Sequence, residues 1–135
     1  MTGLDTNVVI RVLTRDDPIQ AAQAAEVLRS GPVGVTKTVL VESEWVLRSA
    51  YGFERGAVND GLRRFVGLEN LEVEDQPAVV RALAWHAAGM DFADAVHLAS
   101  SGDATSFTTF DEALGKAAED VAATPSVRVL RRPRN

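Results

Sequence analysis

Acidic side chains at four places in this 135-residue sequence could act together: Asp5 in LDTN, Glu42 in VLVESEWVL, Asp91 and Asp94 in MDFADAVHLAS, and Asp111 in TTFDEAL. Magnesium and manganese prefer oxygen ligands. Magnesium completes its octahedron with one or two protein carboxylates, waters and a substrate phosphate. Carboxylates drawn from several elements can therefore seat such an ion and leave positions open. An ion so placed acidifies water, polarises a phosphoryl group and stabilises a leaving oxygen. Those are the demands of phosphodiester hydrolysis, and none of them requires a nucleophilic side chain.

Each of these acids also has an ordinary structural reading. Asp5 and Asp111 stand where helix caps belong, and Asp is a favoured cap. Asp91 and Asp94 are three apart, so Asp91 can cap a helix while Asp94 sits at its third position, as in a capping box. Glu42 has Thr38, Val39, Trp45 and Val46 one helical turn away, a largely apolar surface on which a charge is costly unless paired or metal-bound. Periodicity alone does not separate Glu42 from Glu44, whose neighbours are Leu40, Val41, Leu47 and Arg48. Arg48 offers Glu44 an i+4 ion pair, and that favours Glu42 for function.

The elements that must position these residues follow from caps and periodicity. MTGLDTNVVIRVLT reads as a short strand, a turn and a helix, and Asp17 with Pro18 opens a second helix that Ser30, Gly31 and Pro32 close. Val33 to Val35 is a strand. From Thr38, TVLVESEWVLRSAYG is apolar on nearly every face, which predicts a helix packed on more than one side and stopped by Gly52. Further helices are expected from Glu54, from Pro77 to Gly89, from Phe92 to Ser101 and over EALGKAA. Strands are expected at Leu71 to Val73, at SFTTF and at Val127 to Leu130. Short strands separated by one or two helices indicate an α/β sandwich with a short, mainly parallel sheet. Ligands gather at the carboxyl ends of such strands, where Asp5 and Asp111 both fall.

Composition narrows the classes. One domain, residues 1–135, is expected at this length. A hydrophobic share of 46% and a charged share of 24% fit a folded globular chain. The absence of cysteine removes disulfides and thiolate metal sites and suits a reducing cytoplasm. No run approaches the ~20 apolar residues of a membrane helix, and no secretory leader is evident. A net charge of -5 argues against coating nucleic acid by charge alone. Arg128, Arg131, Arg132 and Arg134 make a basic tail that reads as a solvated end or as a phosphate contact. Arg11, Arg15 and Arg48 carry the same two readings. His97 and His86 read as structural, and Trp45, Trp85 and the five phenylalanines as core or dimer surface.

Taken in order, LDTNVVIR, VLVESEWVL, DFADAVHLAS and TTFDEAL resemble the signature of the PIN domain, particularly of VapC-like toxins, over almost the whole chain. The resemblance implies a three-layer α/β/α fold and magnesium- or manganese-dependent cleavage of RNA. It makes Asp5 and Asp94 direct metal ligands, with Glu42 and Asp111 completing the acidic cluster. Thr6, Asn7 and Thr109 become polar supports of those acids, and Asp91 an additional acidic position. It also implies a homodimer and inhibition by a small antitoxin encoded alongside. Thr2 and Gly3 depart from the larger apolar residues usual in the first strand. Two other readings compete. One is a catalytically silent protein-binding module of the same fold. The other is an aspartate-dependent phosphatase or phosphoacceptor, which needs a placed lysine, and only Lys37 and Lys116 are available.

Overall fold

The computed structural model describes residues 1–133, so Arg134 of the basic tail lies outside the described residues. The chain gathers into two compact units, Met1–Gln76 and a second from Pro77 onward. The first holds β1 (Thr2–Gly3), α1 (Thr6–Thr14), α2 (Pro18–Arg29), β2 (Val33–Val35), α3 (Lys37–Ser49), α4 (Arg55–Val66) and β3 (Leu71–Val73). Its strands form a parallel sheet in the order β1-β2-β3, with Thr2 opposite Val33 and Val33 opposite Leu71. β1 has only two residues, both exposed, in keeping with Thr2 and Gly3. Beyond it the Leu4 amide still donates to the Gly34 carbonyl at 2.9 Å, which carries the chain along β2 as far as Asp5.

Local chemistry sets the helix ends. Asp17 accepts from the Gln20 amide at 3.0 Å, and Pro18 opens α2 where its missing N–H costs nothing. Thr36 caps α3, and Gly52, with φ +72°, follows that helix in a left-handed turn. Val9, Ile10, Leu40, Leu47, Leu62 and Phe65 are buried. Burial of each such side chain contributes about 1.5–3 kcal/mol relative to exposure.

α3 lies against both α1 and α4, so it is packed on more than one side as expected, but one stripe of it stays open. Leu40, Ser43, Glu44 and Leu47 face inward, whereas Thr38, Glu42, Trp45 and Ser49 form one exposed stripe. Those four recur at the helical period, so a single face carries them all. Glu42 is therefore exposed and does not sit on a costly apolar surface. The buried acid is Glu44, 3% exposed, and it is tolerable there because the Arg48 guanidinium donates to both of its oxygens, from Nε at 2.5 Å and Nη2 at 3.0 Å.

The second unit holds α5 (Gln76–Ala87) from its second residue, α6 (Phe92–Ser100), β4 (Ser106–Thr109), α7 (Glu112–Asp120) and β5 (Ser126–Val129). β4 and β5 pair in parallel, Ser106 opposite Ser126 and Thr109 opposite Val129. α5 gives way to α6 through Gly89 at φ +119°, a conformation that side-chain-bearing residues rarely adopt. His86 is fully buried with its ring edge-on to Phe92, centroids 5.2 Å apart, and has the structural role expected of it. α7 lies against β5 so closely that a Cβ on Gly115 would come within 2.4 Å of Val129 Cγ2.

Candidate functional site

In the first unit Asp5 follows β1 and caps α1, its Oδ1 accepting from the Thr6 amide at 2.8 Å. Capping occupies one carboxylate oxygen, and the second is not needed for it. Thr6 is buried, and its hydroxyl donates to the carboxylate of Glu42. That bond ties the start of α1 to the middle of α3 and fixes the heading of an exposed glutamate that would otherwise sample many rotamers. Asn7, next along α1, is exposed. The first unit thus brings Asp5, Thr6 and Glu42 into one connected group.

In the second unit Asp91 caps α6 and accepts from the Asp94 amide at 3.1 Å, the arrangement their spacing suggests. Asp111 caps α7, accepting from the Leu114 amide at 3.2 Å, while its own amide donates to Thr109 Oγ1 at 3.0 Å. Thr109 thereby holds the turn that presents Asp111. Burial pushes the Asp94 carboxyl above its ordinary range, and the charges of Asp91 and Asp111 push the same way, opposed in part by His97. A partly desolvated carboxylate that feels the negative charge of two others favours a counter-cation. Their donors are all oxygen, the chemistry of a hard divalent ion. Among the described residues, no three His, Asp or Glu side chains are already drawn together as closely as metal ligands.

The sequence matches the model of the PIN domain over residues 4–120. The chain belongs to the PIN-domain family. A helix-rich α/β chain with short parallel strands is consistent with the family's three-layer α/β/α fold, and PIN domains are commonly nucleases that bind divalent metals. No curated protein matches the chain. Among the described residues, no helix of this PIN domain is long and apolar enough to cross a membrane.

Sequence reasoning left the nucleic-acid contacts of the PIN domain open, and of its two readings for the aromatics, core or dimer surface, Trp45 and Phe110 do not take the first. Trp45 is 58% exposed, and Phe110, assigned to a strand and grouped with core or dimer surface, is 81% exposed and lies just past β4. Alternation along SFTTF holds the missing signal: Phe107 and Thr109 share one side and Phe110 falls on the other. Arg11, read as a solvated or phosphate-facing cation, donates to Gln20 Oε1 at 2.7 Å and to the Tyr51 hydroxyl at 3.1 Å. His97, read as structural, is exposed.

Proposed function

We propose that this PIN domain is a magnesium- or manganese-dependent endoribonuclease and the toxin of a toxin-antitoxin pair, acting in the cytoplasm. The observation that carries the reading is the second unit's acid group. Asp94 is partly desolvated between the charges of Asp91 and Asp111, and such a group is stable and useful once a divalent cation is present. Asp5 and Asp94 would hold the ion, with Glu42 and Asp111 completing its acidic surroundings. A bound divalent cation supplies Lewis acidity to the scissile phosphoryl group and a nucleophile from water. The chain's own residues supply position. Thr6 orients the Glu42 carboxylate, the caps at Asp5, Asp91 and Asp111 lock those side chains to helix ends, and Thr109 fixes the turn before α7. In-line attack would leave a 5′-phosphate and a 3′-hydroxyl. The VapC-like order of the four motifs supports RNA as substrate, a small antitoxin as inhibitor and a second copy of the chain as partner.

The test is cleavage of cellular RNA by the purified chain with magnesium, with manganese and with a chelator, followed by mapping of new 5′ ends. Metal-dependent cleavage leaving 5′-phosphates is expected, and Asp5→Asn abolishes it while circular dichroism stays unchanged. Wild-type cleavage rates in Asp5→Asn would remove Asp5 from the mechanism. No cleavage with either metal, and no growth arrest on expression without the co-encoded partner, would leave the chain a silent binding module.

A further inference from the structure

The β4-β5 ribbon has two unlike sides. Phe107, Thr109, Val127 and Val129 are half-buried, and the close approach of Gly115 to Val129 puts α7 on that side. Ser106, Thr108, Ser126 and Arg128 are exposed, and the register sets Thr108 opposite Arg128. Phe110 continues the exposed side, two residues after Thr108, and immediately precedes Asp111. The backbone around it is held: the Leu130 amide donates to the Thr109 carbonyl at 2.8 Å, the Asp111 amide to Thr109 Oγ1, and Arg131 pairs with Glu112 at 3.1 Å. A phenyl ring at 81% exposure forgoes most of the transfer free energy that burial would give it. It does so on a fixed turn, immediately before an acid of the candidate site and on the same exposed side of the ribbon as Arg128.

We propose that Phe110 is a base-stacking residue for single-stranded RNA, with Arg128 on the same exposed side taking a neighbouring backbone phosphate. The inference rests on the ribonuclease reading and adds to it how substrate is positioned beside Asp111. An unpaired base offers a flat π-face to any aromatic ring, whatever its identity, so this contact accepts many sequences and requires the strand to be unpaired. A protein partner would also welcome an exposed phenylalanine. Arg128 on the same side and the adjoining acid group favour a phosphate-bearing ligand over an apolar protein surface.

The experiment measures binding of a fluorescein-labelled single-stranded RNA oligonucleotide by anisotropy in chelator, so that cleavage does not intervene. It is paired with kcat and KM for the same RNA in magnesium. Phe110→Ala and Phe110→Leu should each weaken binding by about 5- to 100-fold, and Phe110→Trp should restore it. The loss should appear in KM more than in kcat, and duplex RNA should show none of it. An RNA with an abasic nucleotide at the stacked position should bind wild type and Phe110→Ala alike. Phe110→Trp also places a fluorophore there, whose emission should quench as RNA is added. Wild-type affinity in Phe110→Leu, or an equal loss for intact and abasic RNA at every position, would overturn the assignment while metal-dependent cleavage stood. A change of oligomeric state in Phe110→Ala with RNA affinity intact would overturn it in favour of a second copy of the chain. RNA neither bound nor cut by wild type would overturn both readings.

Discussion

Thr6 holds a buried place that valine would fill equally well by shape, yet its hydroxyl is committed to the Glu42 carboxylate across 36 positions of sequence. The bond is charge-assisted, and losing such a bond typically costs about 1.5–3 kcal/mol. Thr6→Val should therefore leave the fold intact and lower kcat/KM for RNA by about tenfold or more, with Thr6→Ser restoring most of it. Unchanged cleavage by Thr6→Val would show that the heading of Glu42 does not matter. Asp94 gives a prediction of opposite sign for stability. Burial, then Asp91 and Asp111, raise its carboxyl above the reference value of 3.8, so the folded chain holds that proton more tightly than the unfolded chain does. Its contribution to stability is then fully present below about pH 3.8 and is lost as pH rises through the higher folded value, which leaves the ionised form destabilising near neutrality. Asp94→Asn should raise the metal-free melting temperature at neutral pH, and the difference should vanish in acid. The same variant should respond least to added magnesium. A lower neutral melting temperature for Asp94→Asn would mean that the carboxylate is paired in solution and not strained by its neighbours.

The elements show which parts of this fold can be read locally. Asp17 with Pro18, Asp91 before α6 and Gly52 after α3 act within a few residues of themselves, so their caps and stops were legible from sequence. The same locality exposed the acids, because three of the candidate residues are caps and a cap has a fixed place at the start of a helix. What stayed hidden depends on partners far along the chain. The inward face of α3 was not decided by its own apolar pattern. The Asp16 carboxylate accepts from the hydroxyl of Tyr51 at 2.7 Å, 35 positions away, and that joins the end of α1 to the end of α3 without any local signature. Gly115 belongs to the same class, since nothing in EALGKAA announces a strand pressed against its fourth residue. In an isolated helix, Gly115→Ala would gain about 1 kcal/mol from helix propensity. Here the new methyl meets Val129 Cγ2 at 2.4 Å, and a β-branched side chain in a strand has few rotamers to retreat into. Overpacking of about 1–3 kcal/mol should win, lowering the melting temperature. Val129→Ala in the same chain should return part of the loss, a coupling that two independent defects would not show.

At the scale of the whole molecule, charge makes the metal an argument about stability as well as chemistry. The chain carries -5 at neutral pH, and the charges of Asp91 and Asp111 bear on Asp94 until cations join them. A ligand that binds only the folded state stabilises by about 2.7 kcal/mol when it is present at a hundred times its Kd. For a chain of 135 residues that is a melting-temperature rise of roughly 5–15 °C, easily measured by calorimetry. General screening also relieves repulsion, but it depends on ionic strength and not on which cation supplies it. Magnesium at low millimolar concentration should therefore raise the melting temperature well beyond sodium chloride of equal ionic strength. Chelator should reverse the gain, and the double variant Asp5→Asn with Asp94→Asn should respond to the two salts alike. Equal responses in wild type would mean that the acids are merely screened, and the metal-dependent mechanism would lose its physical basis.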